Sequence, residues 1–149
     1  MAISVRRATR ADVSALAPLF DAYRGFYGKP GDLELAKRFL GERLEKGQST
    51  IFVAEDEEGH AAGLVQLYPS FSSVSAAPIL ILNDLFVDPA QRGRGVGQAL
   101  MAAAEAFAKA SGAIRLTLST GAGNAQAQAL YRAQGWTRDE SFWVFEKSL

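Results

Sequence analysis

The chain contains no cysteine and only one histidine, His60. Without a thiol it can form no disulfide bond, no thiolate metal site and no cysteine nucleophile. Its 16 basic residues balance 16 acidic ones, so the net charge gives no reason to expect a nucleic-acid partner. No apolar run could span a membrane, and the segment "MAISVRRATRADV" lacks the apolar core of a signal peptide. We therefore expect a cytoplasmic protein with no metal, nucleic-acid or membrane partner.

The hydrophobic residues, 48 % of a 149-residue chain, are enough for one core, and we expect a single domain over residues 1–149. Apolar periodicity, turn residues and caps predict the order β-α-α-β-β-β-α-β-α-β. That order favours a mixed α/β fold, with one sheet and helices on both faces. The predicted helices are 9–23, 33–47, 97–112 and 124–135, and the predicted strands are 3–9, 49–56, 61–74, 77–89, 113–120 and 141–149.

The segment "QRGRGVGQAL" places three glycines and two arginines between a strand and a helix. The first amides of a helix have no partner within it, and the helix dipole is positive there. Glycine lets the backbone approach an anion closely, so the loop predicts a phosphate site, favouring a diphosphate. A nucleoside triphosphate would need Gly-Lys-Ser/Thr, and a dinucleotide would need glycine where Gln98 stands. A tight turn that binds no ligand is the alternative interpretation of this loop. The candidate ligands are Arg92, Gly93, Arg94, Gly95, Val96, Gly97 and Gln98.

Two motifs carry a resemblance to a known family. The run from Arg92 to Gly97 fits the pattern R/Q-x-x-G-x-G/A, and "NAQAQALYRAQGW" follows it later in the chain. Together they resemble the GNAT superfamily of acyl-CoA-dependent N-acyltransferases over essentially the whole chain. The resemblance implies a central mixed, largely antiparallel sheet of about six to seven strands flanked by about four helices. It also implies transfer of an acetyl group from acetyl-CoA to a primary amine, with CoA as product. Because no acyl-cysteine intermediate can form without cysteine, direct attack in a ternary complex is the simpler mechanism.

The same resemblance suggests roles for four residues beyond the glycine loop. Tyr131, two helical turns after Asn124, is our candidate acid beside the departing sulfur and a cofactor contact; packing against the sheet is its alternative role. Asn124 is also a helix cap, and the resemblance adds a contact with the cofactor arm. Backbone groups of Phe86 and Val87 are expected to bind the pantetheine amides.

The acceptor is expected at the polar pair Asn83-Asp84, which interrupts the apolar strand "ILILNDLFV". A buried carboxylate is costly unless paired or used, so Asp84 is our candidate base or amine-binding group. A structural hydrogen bond from the strand edge to a loop is the alternative. Tyr23, Phe26 and Tyr27 could form a cation–π wall for an alkyl-ammonium, or bury against the sheet.

Several other readings stay open. The chain could be a catalytically silent acyl-CoA sensor, or a nucleotide-phosphate binder of another fold. Tyr68 and Phe71 could add another wall to the acceptor pocket, and the acidic run "EDEEG" is expected to be an exposed hairpin turn. The aromatic segment 141–149 could form a homodimer or fill the core of the monomer.

Overall fold

A computed structural model describes residues 2–149 and contains one five-stranded sheet, with strands in chain order. The first three pairings are antiparallel and the last is parallel, which confirms a mixed, largely antiparallel α/β fold. The strands are β1 (Ser4–Arg7), β2 (Thr50–Glu55), β3 (Ala61–Ser72), β4 (Ala77–Val87) and β5 (Leu116–Thr117).

Within residues 2–149, four α-helices accompany the sheet, and a side chain caps the start of the second and the fourth. Asp32 caps the second helix by accepting from the Leu35 amide at 3.1 Å, as its position predicts. The first helix continues to Phe26, so the predicted end at Tyr23 is three residues too early. It ends before Gly28, whose φ of 82° is left-handed. The helices are α1 (Val13–Phe26), α2 (Leu33–Glu45), α3 (Val96–Ala110) and α4 (Ala125–Ala133).

The two faces of the sheet are covered by different helices. On one face, α1 and α2 bury Leu16 and Leu40 against Leu64, all three with no exposed area. On the other face, α3 packs against the sheet, where the Phe52 and Phe107 ring centres lie 5.8 Å apart. Along a regular strand, successive side chains therefore point alternately toward the two helical layers.

The strand predicted over 141–149 does not form, and the sheet has five strands rather than six to seven. A strand needs a neighbouring strand for its backbone hydrogen bonds, and an apolar sequence does not by itself provide one. The predicted strand 113–120 is also reduced to the two residues of β5. The chain forms two compact units, Met1–Ser119 and Thr120–Leu149. Along residues 2–149, no helix combines the length and apolarity needed to cross a bilayer.

Candidate acyl-donor and amine site

The glycine loop leads directly from β4 into an uncapped helix. After Val87, the Asp88 carboxylate accepts from the Ala90 amide at 3.0 Å and starts a short 3-10 helix, Pro89–Gln91. Gly95 is the N-cap of α3 in a left-handed conformation, φ 77°, which suits glycine. Among residues 2–149, no side chain caps α3, and its first turn holds no acidic residue. Its first amides are therefore directed at the loop, where an anion can bind.

A close contact fixes where α3 begins. A Cβ atom on Gly63 of β3 would lie 2.8 Å from the Phe86 carbonyl oxygen and 3.0 Å from Cγ1 of Val96. Real Cβ atoms essentially never come within 3.0 Å of another heavy atom, so only glycine fits here without movement. The first residue of α3 thus rests directly on the sheet, beside the end of β4.

Both predicted phosphate-binding arginines already contact protein groups. The Arg92 Nε donates to the Val87 carbonyl at 3.3 Å, and its guanidinium lies 5.8 Å from the Phe86 ring centre. Arg94 forms an ion pair with Glu57 at 2.8 Å, in the turn between β2 and β3. Residues 57–60 are exposed, which confirms the predicted hairpin turn, and Glu57 in addition binds the glycine loop.

A bulge in β4 decides which way the predicted carboxylate faces. Gln66 pairs with Asp84 and the next residue, Leu67, pairs with Leu82, so Asn83 is an extra residue. Strict alternation would put Leu82 and Asp84 on one face. The bulge instead places Asp84 beside Gln66, on the face that α1 covers.

The Asp84 carboxylate is only 5 % exposed and is held within the sheet. Its Oδ2 accepts from Nε2 of Gln66 at 2.7 Å, and its Oδ1 accepts from Nδ2 of Asn83 at 3.1 Å. These two donors are neighbours on β3 and β4, and the Tyr23 side chain of α1 also interacts with the carboxylate. None of the three lies in a loop, which does not match the alternative of a hydrogen bond to a loop. Within residues 2–149, no lysine, arginine or histidine forms an ion pair with it. A positively charged group would therefore interact favourably here.

A row of aromatic rings runs outward from this carboxylate along α1. The Tyr23 hydroxyl donates to the Asn83 carbonyl at 3.3 Å, and its ring meets Phe86 edge-on at 6.0 Å. Tyr27 lies 5.2 Å from Tyr23, and Phe26 lies 5.2 Å from Tyr27. Phe26 and Tyr27 are 65 % and 54 % exposed. Of the three predicted aromatics, only Tyr23 packs on the sheet, and the other two extend the row to the surface.

Two phenols next to Asp84 resist ionisation. Burial raises the pKa of Tyr23, and the Asp84 charge adds to the rise. Burial likewise raises the pKa of Tyr68 to about 12, with Asp84 contributing and Arg43 opposing. Both side chains therefore stay neutral donors at ordinary pH.

Gln66 is the residue of this cluster that sequence reasoning missed. It is fully buried and its Oε1 finds no hydrogen-bond partner among the described residues. The available signal was a lone amide in the apolar run "AAGLVQLY" of β3. Buried polar groups are normally hydrogen-bonded, so such an interruption marks a position worth testing.

The unit Thr120–Leu149 holds the second motif. The Asn124 side chain accepts from the Ala127 amide at 3.2 Å, which confirms it as the N-cap of α4. Tyr131 lies on α4, with its ring centre 6.2 Å from that of Trp136. The roles of both residues toward a cofactor stay predictions.

Comparison with known proteins identifies the family. Residues 16–136 match the acetyltransferase (GNAT) family. The N-acetyltransferase YhfO of Bacillus subtilis, itself uncharacterized, is 46 % identical over 140 residues, 94 % of this chain and 93 % of that protein. The crystal structure of a probable acetyltransferase superposes with a TM-score of 0.92 at 37 % identity, covering 98 % of this chain and 97 % of the other.

A more distant structure shares the fold. Aminoglycoside N-acetyltransferase AAC(6')-Iy in complex with CoA gives a TM-score of 0.79 at 23 % identity, covering 99 % of this chain and 96 % of that one. The family match and the relatives place the chain in the class of N-acetyltransferases. The chain belongs to the GNAT acetyltransferase family.

Proposed function

We propose that the protein transfers an acetyl group from acetyl-CoA to a primary amine by direct attack in a ternary complex. The main support for this proposal is that one strand, β4, positions both the Asp84 carboxylate and the glycine loop. β4 carries Asp84 and, three residues later, leads into the loop before the uncapped helix. Three strand residues span about 10 Å, so a bound molecule could reach from the loop to the carboxylate.

The residues present suit the diphosphate and pantetheine of acetyl-CoA. The uncapped amides of α3 and the glycine loop would hold the diphosphate. β4 pairs with β5 only at Leu80 and Ile81, so along the described chain β5 does not cover Phe86 and Val87, although the Val87 carbonyl accepts from Arg92. Backbone groups there would receive the pantetheine amides. When bound, acetyl-CoA supplies the thioester carbonyl that accepts the amine nitrogen.

The chain's own residues would handle the protons. Asp84 would bind the amine and accept its proton as the nitrogen–carbon bond forms. Gln66 would orient the carboxylate through its hydrogen bond, and Tyr23 would hold the neighbouring Asn83 backbone. Tyr131 would protonate the sulfur as the carbon–sulfur bond breaks. The exposed rings of Phe26 and Tyr27 would contact the rest of the acceptor.

The test is CoA release from acetyl-CoA, measured with a thiol reagent across a panel of primary amines. Because the chain has no cysteine, the protein adds no thiol background. Release that depends on the amine, with the acetylated product found by mass spectrometry, supports the proposal. The alternative, a silent acyl-CoA sensor, predicts CoA binding by calorimetry with no amine-dependent release.

A further inference from the structure

The turn between β2 and β3 is built around one carboxylate. Oδ1 of Asp56 accepts from the amides of Glu58 and His60, both at 2.9 Å. The Gly59 amide donates to the Asp56 carbonyl at 3.0 Å. These bonds to the charged form lower the pKa of Asp56, so the carboxylate is ionised at neutral pH. These bonds therefore hold the backbone of the turn from Asp56 to His60.

Two contacts join this turn to the glycine loop. Nε2 of Gln91 donates to Oδ2 of Asp56 at 3.0 Å, and Arg94 pairs with Glu57 at 2.8 Å. Arg94 also donates to Oε1 of Gln91, which links the two contacts. The partners are 35 and 37 residues apart in sequence, so the contacts tie the loop to a different hairpin.

From these contacts we infer that Asp56, Glu57, Gln91 and Arg94 form a clamp that holds the glycine loop in its diphosphate-binding conformation, with Arg94 acting as a positioning residue. This rests on the proposed function, in which the loop binds CoA. Gly93 and Gly95 both have φ near 80°, and glycine gives up much conformational freedom when ordered. A clamp that orders the loop beforehand lowers the cost of ordering it on binding.

The clamp and direct phosphate binding by Arg94 predict opposite effects on CoA affinity when the Glu57 carboxylate is removed. If Arg94 bound the diphosphate, removing the negative Glu57 beside it would strengthen CoA binding. If Arg94 braces the loop through Glu57, removing that carboxylate weakens CoA binding. The variants Glu57→Gln and Arg94→Gln separate these cases, and Glu58→Gln is the matched control. Glu58 lies in the same turn, and its side chain pairs with His60 rather than with the loop.

Calorimetry with CoA should show Glu57→Gln and Arg94→Gln each weakening binding about two- to fivefold, as expected for a partly exposed ion pair. The double variant should be little weaker than Arg94→Gln alone, because Arg94→Gln already removes the contact with Glu57. Glu58→Gln should bind like the wild type. Unchanged or tighter binding by Glu57→Gln, with weaker binding by Arg94→Gln, overturns the clamp.

Hydrogen exchange in the free protein tests the clamp independently of CoA. Amides of residues 92–98 should exchange faster in Glu57→Gln than in Glu58→Gln, with equal melting temperatures confirming that both variants fold. Equal exchange rates in the two variants overturn the clamp. A wild-type protein that does not bind CoA refutes the proposed function instead, and the exchange result still decides whether the clamp exists.

Discussion

The buried Asp84 carboxylate accepts hydrogen bonds from neutral groups, among them the side-chain amides of Gln66 and Asn83. Such a position is costly for a structural residue and useful for binding an ammonium group. We expect Asp84→Asn, which keeps the shape and removes the charge, to raise the KM for the amine about tenfold or more. CoA affinity should not change, because the variant leaves the glycine loop intact.

Steady-state kinetics with varied amine, together with CoA calorimetry, check the Asp84 prediction. Glu105→Gln on the exposed side of α3 removes the same charge and serves as control. If Asp84→Asn leaves both the amine KM and the pH profile of the wild type, the carboxylate is structural.

Tyr131→Phe removes one hydroxyl and keeps the ring that lies near Trp136. If the phenol protonates the departing sulfur, kcat should fall about 100-fold or more while CoA affinity changes little. Single-turnover kinetics and calorimetry separate the two quantities. An unchanged kcat would leave Tyr131 with only a packing role.

Tyr68 gives a prediction for alkaline pH. Its pKa is raised to about 12 in the folded protein, against about 10 for an unfolded tyrosine. Between these values the unfolded chain has lost the proton and the folded chain keeps it, so stability falls as pH rises from about 10 to 12. Urea unfolding of wild type and Tyr68→Phe should show a shallower fall for the variant over that window. Parallel curves for the two proteins would contradict the raised pKa.

Helix starts that are set by nearby residues were predicted from the sequence. Asp32 and Asn124 cap their helices as their positions predict, and α3 begins at Val96, one residue before the predicted start. The bulge at Asn83 could not be predicted, because it depends on register with β3. The contact between Glu57 and Arg94 likewise joins residues that only the folded sheet brings together. Alternation placed Asn83 and Asp84 on opposite faces but could not say which faced α1.

The packing of α3 on β3 gives a prediction at the scale of elements. Gly63→Ala puts a Cβ atom 2.8 Å from a backbone oxygen, so either β4 or the start of α3 must move. We expect a loss of about 1–3 kcal/mol in the free energy of unfolding. CoA binding should weaken as well, because the first turn of α3 shifts.

Gly41→Ala is the matched control for Gly63→Ala. Gly41 lies inside α2, and a Cβ atom there meets nothing within 4 Å. Alanine favours a helix interior by about 1 kcal/mol, so this variant should be more stable than the wild type. Denaturant unfolding of both variants measures the two changes in free energy of unfolding. A Gly63→Ala protein as stable as the wild type would show that β4 and α3 can move to accept the Cβ atom at little cost.

At the scale of the whole molecule, a ligand that binds only the folded chain stabilises it. At about 100 times its Kd, CoA should add about 2.7 kcal/mol. For a chain of this size that raises Tm by about 5–10 °C. ATP and NAD at the same concentration should give much smaller shifts, and equal shifts for all three would favour a general nucleotide-phosphate site.

The extra residue in β4 constrains how this strand can change length during evolution. Losing Asn83 by deletion would leave Leu82 and Asp84 on their present faces, because the two halves of the strand are already in phase with β3 on either side of it. Flattening the bulge without a deletion would invert every side chain from Asp84 to Val87. Homologues with a regular β4 should therefore align with a one-residue gap at this position.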